Sequence, residues 1–277
     1  MFGEPLQRPL RGREELRQVA VSNDKLVQDG EYAVGGRRHI LRAVGLANRT
    51  ISLPSDVPVV HGSNVAVQTD IAVVCQDTAS ALRTLVSSVD DATKVAALSF
   101  ANSRRVGGGY KTGALAQEED LCRVMPMLYS QLKKLIYPLP ADSAHFTTTI
   151  LCRSPEYELV DPLLVNIISA SMPNVTDPSE PLHGRAESDE WWLAVTLRIR
   201  AVLHTAVTMH MQHLVLGAFG CGAFGNPARE VAQCFYNELR SAAFAGAFRS
   251  VVFAILDPEG DEGMNLRTFE DELARCV

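Results

Sequence analysis

The sequence predicts an α/β layered domain, a sheet with helices on both faces. Three observations carry this. From residue 71 onward short apolar runs alternate with amphipathic segments. Two of those runs lead straight into glycine-rich loops. The chain, at 277 residues and 47% hydrophobic, is long and apolar enough for one sizeable core.

Residues 13 to 28 read as a charged helix, and the next thirty or so as irregular chain ending in a strand start near Val59. The run IAVVC (71–75) reads as a buried strand, followed by Asp77 at an N-cap position and the helical pattern TASALRTLVSSV. VAALSF (95–100) is a second buried strand that runs into the first glycine loop. A helix is expected from Ala114 to Leu135, disturbed at Pro126. TTTILC (147–152) and LLVNIISA (163–170) read as strands, and residues 171 to 188 as an exposed polar loop. The long amphipathic helix DEWWLAVTLRIRAVLHTAVTMH follows. After it come the strand HLVLGAF, the second glycine loop, the helix PAREVAQCFYNELRSAAF, the strand SVVFAIL and a short tail helix. There is no internal repeat and no low-complexity linker.

Composition narrows the function. A formal net charge of −6 argues against general nucleic-acid binding, which needs a basic footprint, but leaves room for a small anion held by backbone amides. No run reaches the roughly 18 apolar residues of a membrane span, and MFGEPLQRPLRGREELRQ lacks the apolar core of a secretory signal. No membrane partner is expected. The six cysteines (Cys75, Cys122, Cys152, Cys221, Cys234, Cys276) form no CxxC pair, so reduced thiols in an intracellular compartment are expected. His204, His210 and His213 cluster without acidic or thiol ligands nearby, and structural or surface roles are expected. No metal and no cofactor are expected.

The second glycine loop, LGAFGCGAFGNPARE (216–230), matches G-x-G-x-x-G at Gly220, Gly222 and Gly225. A dinucleotide site is set aside on two grounds. Only one further strand follows the motif, and the next strand-ending acid, Asp257, lies well beyond the expected spacing of about 20 residues. There is no P-loop lysine. Four glycines (Gly217, Gly220, Gly222, Gly225) among Phe219 and Phe224 predict close approach of a ligand, a diphosphate on backbone amides before a helix N-terminus.

The first loop, NSRRVGGGYKTGALAQEEDLC (102–122), joins Gly107, Gly108 and Gly109 to Gln117, Glu118 and Glu119. The triplet is expected to let backbone wrap a ligand. Asn102 can donate and accept, which suits ribose hydroxyls, or can simply make a turn. Neighbouring helical residues point about 100° apart, so the two carboxylates are expected to do different jobs. Acids in a first helical turn also occur merely because they complement the helix dipole.

GGGYKTGALAQEE fits the GGG…QEE signature of the bacterial-type poly(ADP-ribose) glycohydrolases. SFANSRRVGGGY, QEEDLCRVMPMLYSQL, LGAFGCGAFGNPAREVAQCF and VVFAILD resemble other segments of that family, in family order. The resemblance covers roughly residues 15 to 272; the segment 171 to 190 and the first dozen residues carry none of it. It implies a three-layer α/β/α macrodomain with a mixed central sheet and an N-terminal helical extension, here a single catalytic domain over residues 1–277. It implies hydrolysis of ribose–ribose bonds in poly(ADP-ribose), with poly(ADP-ribose) or ADP-ribosylated macromolecules as partners and ADP-ribose as product.

By the same resemblance Glu119 is the catalytic acid and Glu118 holds the ribose 2″ region. Asn102 and Gln117 lie at the substrate, Asn102 on the distal ribose. Gly107 to Gly109 and the loop of Gly220, Cys221, Gly222, Ala223, Phe224 and Gly225 cradle the diphosphate, and Phe224 packs on the distal ribose. Asp77 stands either as the macrodomain acid near adenine or as a helix cap. A monomer in the cytoplasm (or a nucleus) is expected. Two other readings share the pocket: a mono-ADP-ribosyl hydrolase, and a reader that binds ADP-ribose without cleaving it. The intact pair Glu118–Glu119 speaks against a reader. Glycoside cleavage passes through an oxocarbenium-like state and needs a proton on the leaving oxygen, which a glutamate supplies when burial or a neighbouring carboxylate raises its pKa.

Overall fold

The computed structural model describes residues 11–41, 47–54, 68–256 and 264–274. The strand start near Val59, Asp257 and Cys276 lie outside them. Helix α1 (Arg13–Asp29) is followed by a hairpin, β1 (Glu31–Val34) and β2 (Arg37–Ile40), and by β3 (Asn48–Ser52). These three strands correct the expectation of irregular chain. Gly35 and Gly36, both at positive φ, form the two-residue turn that joins β1 to β2. The strands are four or five residues long and partly exposed, so no apolar alternation announces them.

The central sheet adds β4 (Asp70–Val74), β5 (Val95–Phe100), β6 (Ser143–Arg153), β7 (Leu159–Ala170), β8 (His213–Leu216) and β9 (Ser250–Ala254), in the order β3-β6-β7-β5-β8-β9-β4. Strand β6 runs antiparallel to both β3 and β7; all other neighbours are parallel. The sheet is therefore mixed. The runs 147–152 and 163–170 are parts of a longer hairpin, β6–β7.

Side-chain alternation assigns the faces. Ala96, Leu98, Leu214, Leu216, Val251 and Phe253 point to one core with α5 (Asp189–Thr208), α6 (Ala228–Leu239) and α7 (Met264–Ala274). Val95, Ala97, Val215 and Val252 point to the other, with α1, α2 (Thr78–Ser88), α3 (Gln117–Val124) and α4 (Pro126–Leu132). The result is three layers with α1 as the N-terminal extension.

The helix expected over 114–135 is two helices. It starts late because Gly113 takes a left-handed conformation, and it breaks at Met125, whose successor Pro126 opens α4. Residues 171–188 are irregular as expected but not simply exposed: Ser171, Met172, Pro173 and Val175 are buried.

Candidate active site

Strands β5 and β8 are parallel neighbours, so the loops leaving their C-terminal ends lie side by side. This is where open α/β sheets bind ligands. Phe100 at the end of β5 stacks on Phe219 of the second loop, with ring centroids 5.4 Å apart.

Gln117 anchors the first loop. Its Oε1 accepts from the Phe100 amide (2.8 Å), and its Nε2 donates to the Leu98 carbonyl (2.7 Å) and to Thr78 Oγ1 (3.0 Å). The carboxamide thus bonds to protein groups, and Gln117 holds the start of α3 against β5. The two glutamates turn toward the glycine triplet, and a Cβ on Gly108 would meet both carboxylates. Glu118 Oε2 accepts from the Asn102 amide (2.8 Å), and the Gly107 amide also favours its carboxylate, while Glu119 Oε1 accepts from the Gly109 amide (2.7 Å). Both are buried, at 2% and 8% exposure, and Glu118 Oε1 has no partner among the described residues. Burial pushes the Glu118 carboxyl up to about 8 against the pull of the Asn102 amide, and the neighbouring Glu119 adds to the rise.

The triplet's amides are engaged by the protein itself. The Gly108 amide donates to the Arg105 carbonyl and that of Gly109 to Glu119. The backbone of the triplet thus wraps the Glu119 carboxylate. A Cβ on Gly108, which has positive φ, would run into Glu119 Oε1. Asn102 makes the turn it was alternatively read as: its Oδ1 accepts from the amides of Arg104 (3.0 Å) and Arg105 (2.9 Å). Only Nδ2 remains to meet a ligand.

The second loop is different. The amides of Gly222, Ala223 and Phe224 have no acceptor among the described residues. Gly222 is exposed and a Cβ there meets nothing within 4 Å, whereas one on Gly217, Gly220 or Gly225 would strike the Ala254 carbonyl, Met172 or Thr176. Three of the four glycines are therefore required by protein packing and one faces open space. Buried Asn226 holds the loop closed: Nδ2 donates to the carbonyls of Pro173 (2.8 Å) and Gly220 (2.9 Å), and Oδ1 accepts from Trp191 Nε1 (2.8 Å). The Phe224 ring is half-buried against the core. Burial pushes the Cys221 thiol well above its ordinary range. That opposes a nucleophilic thiolate.

Segment 171–188 links the loops. The Val175 amide donates to the Phe224 carbonyl (3.0 Å) and Thr176 Oγ1 to that of Ala223 (3.2 Å), while Glu180 pairs with Arg104 of the first loop (2.6 Å). Asp77 caps α2, Oδ1 accepting from the Ser80 amide (2.9 Å) and Oδ2 from the Ser80 hydroxyl (2.6 Å).

Sequence reasoning missed Asn23, at 1% exposure. Its Nδ2 lies within hydrogen-bond distance of Tyr110 Oη (3.1 Å) and of the carbonyls of Cys122 (3.2 Å) and Arg123 (2.9 Å), and its Oδ1 accepts from Arg153 Nε (2.8 Å). Arg123, fully buried, donates to the carbonyls of Leu16 and Ala114. Helix α1 thus grips the back of the glutamate-bearing loop.

Among the described residues no helix is long and apolar enough to cross a membrane, and no group of three or more His, Cys, Asp or Glu is placed to hold a metal.

Fold and site together define a macrodomain-like α/β/α domain with a paired-carboxylate centre beside an open-amide loop. The family model for the microbial-type PARG catalytic domain matches residues 21–152. The poly(ADP-ribose) glycohydrolase of Thermomonospora curvata superposes with TM-score 0.80 at 26% identity, covering 94% of this chain and 99% of that one. Its complex with the inhibitor ADP-HPD gives 0.75 at 26% over 93% and 99%. The Deinococcus radiodurans enzyme in complex with ADP-ribose gives 0.64 at 32% over 76% and 86%. No curated protein matches the sequence. The chain belongs to the microbial-type poly(ADP-ribose) glycohydrolase family.

Proposed function

We propose that this chain, acting as a single catalytic domain, hydrolyses the O-glycosidic ribose–ribose bonds of poly(ADP-ribose) and releases ADP-ribose. The observation that carries the reading is the buried pair Glu118–Glu119, held by the amides of Asn102, Gly107 and Gly109 next to a loop with three open amides. The diphosphate sits on Gly222, Ala223 and Phe224, with the α6 N-terminus behind it. The Phe224 ring lies against the distal ribose, and Asn102 Nδ2 reaches a ribose hydroxyl.

Glu119 enters the step as the carboxylic acid. It protonates the leaving oxygen as the C1″–O bond breaks, and its carboxylate then takes a proton from the water that attacks C1″. Glu118, neutral at pH 7 on its raised pKa, donates from Oε1 to the neighbouring ribose hydroxyl. Gln117 and Asn226 position the two loops. The five described cysteines are free, which suits a cytoplasmic setting.

Labelled poly(ADP-ribose) and a mono-ADP-ribosylated protein, each incubated with the enzyme, test the reading. Release of ADP-ribose from the polymer supports it. Release from the modified protein alone would make the chain a mono-ADP-ribosyl hydrolase, and binding without release a reader.

A further inference from the structure

A pocket of about 380 Å³ opens on the side of β5 away from the second loop. That volume lies within the roughly 300–1,000 Å³ of small-molecule sites. Its floor is polar and neutral. Ser169 on β7, His145 on β6 and Thr50 on β3 are cross-strand neighbours in one row. His145, at 4% exposure, is held between Thr50 Oγ1 (3.0 Å from Nδ1) and Asn48 Oδ1 (2.6 Å from Nε2). Asn48 Oδ1 can only accept, so Nε2 carries the proton and Nδ1 accepts. Burial keeps the ring uncharged, its pKa down at about 4. The Ser169 hydroxyl is buried without a partner among the described residues. The walls are apolar, from Leu135, Leu139 and Pro140, and the exposed Lys134 stands at the rim.

The pocket wall is hydrogen-bonded to the segment that holds Glu118. Its wall residue Ala170 accepts a hydrogen bond from the Ala101 amide (2.8 Å), and its wall residue Leu139 donates to the Ser103 carbonyl (2.8 Å). Between them lies Asn102, whose amide holds Glu118. Along the sheet edge the order is thus open-amide loop at β8, carboxylates at β5, then this pocket over β7, β6 and β3. With the diphosphate of the departing ADP-ribose at β8 and its C1″ at Glu119, the group on the other side of the broken bond extends toward the pocket.

We infer that this pocket is the subsite for the leaving nucleotide, the adenosine 5′-phosphate moiety whose 2′-hydroxyl is released. Apolar walls and uncharged hydrogen-bonding groups suit a purine and its ribose, and a single cation at the rim suits its phosphate. The inference rests on the proposed activity.

The test uses the two-unit polymer, ADP-ribosyl-ADP-ribose, as substrate, with ADP-ribose affinity as the control. Lys134→Glu alters an exposed side chain and is expected to fold. It should raise KM for the two-unit substrate about threefold or more, the scale of one exposed charge contact, while Kd for ADP-ribose stays within about twofold. Leu139→Trp, which fills the pocket, should lower kcat/KM by about tenfold or more. Unchanged kcat/KM in both folded variants overturns the subsite while leaving the activity in place. A second arm adds adenosine 5′-monophosphate to protein saturated with ADP-ribose and follows it by NMR. Binding that Leu139→Trp abolishes supports the subsite even if the wild type fails to cleave the polymer. No binding in wild type, together with unaltered kinetics, removes it.

Discussion

The backbone amide of Asn102 donates to Oε2 of Glu118 across 2.8 Å, yet the carboxyl is raised to about 8. Burial outweighs the hydrogen bond. Native Glu118 keeps its proton over a range where the unfolded chain, with an ordinary carboxylate near 4.5, has lost it. The native state therefore binds more protons, and stability falls as pH rises from about 4.5 to about 8 and levels off above. Glu118→Gln mimics the neutral form and lacks that titration. Thermal unfolding from pH 5 to 9 should show wild type losing Tm toward alkaline pH more steeply than Glu118→Gln. Parallel curves would contradict the assignment.

Glu119→Gln should abolish turnover and keep ADP-ribose binding. The amide still meets Gly109 through its oxygen but carries no transferable proton. General acid–base catalysis is worth roughly 10²–10⁴-fold. Single-turnover hydrolysis and calorimetry on the same preparation check both halves; a wild-type rate would remove Glu119 from the chemistry.

The two glycine loops should respond oppositely to a side chain. At Gly222 φ is not positive and a Cβ meets nothing, so Gly222→Val should fold normally and lose ADP-ribose affinity because the isopropyl group fills the space before the open amides. At Gly108 φ is +54° and a Cβ collides with Glu119, so Gly108→Ala should lower both stability and activity. Unchanged affinity in folded Gly222→Val would take the second loop out of the binding site.

What was legible in sequence was whatever local pattern announces. The apolar runs 71–75, 95–100 and 250–256 fall on β4, β5 and β9, and both loops follow strands as read. The meaning of each glycine was not legible, because it depends on what packs against the missing Cβ. Met172 and Thr176, far off in sequence, decide Gly220 and Gly225, and Glu119 decides Gly108. The same holds for Gln117, whose contacts to Leu98 and Thr78 no local pattern announces. Asn23 had no signal at all: one asparagine in a charged helix looks like solvent-facing surface.

Cys221→Ala should keep both turnover and ADP-ribose affinity close to wild type. The thiol is held well above its ordinary range by burial, and it donates to the Phe219 carbonyl at 3.7 Å. A loss of turnover with affinity preserved would bring the thiol into the mechanism.

Asn23→Leu should separate chemistry from binding. The asparagine bonds to Tyr110 in the first loop, to the Cys122 and Arg123 carbonyls at the end of α3, and to Arg153 on β6. Leucine is of similar size but leaves the buried Arg153 guanidinium and two carbonyls short of partners, at a cost of roughly 1–3 kcal/mol for each buried group left unpaired. Its contacts all lie on the carboxylate side of the site, and none reaches Gly222, Ala223 or Phe224. The expected outcome is a lower Tm and a kcat reduced about tenfold or more, because a small displacement of catalytic groups is enough for that. ADP-ribose affinity should change much less. A variant that merely loosened the fold would lose affinity and kcat together, so calorimetry and kinetics measured well below Tm distinguish the cases. Asn23→Asp sharpens the comparison: it keeps the acceptor for Arg153 but sets an oxygen against the two carbonyls. It should hold Tm better than Asn23→Leu only if the Arg153 contact dominates stability. Equal losses of kcat in both variants would then assign the positioning of α3 to the amide nitrogen.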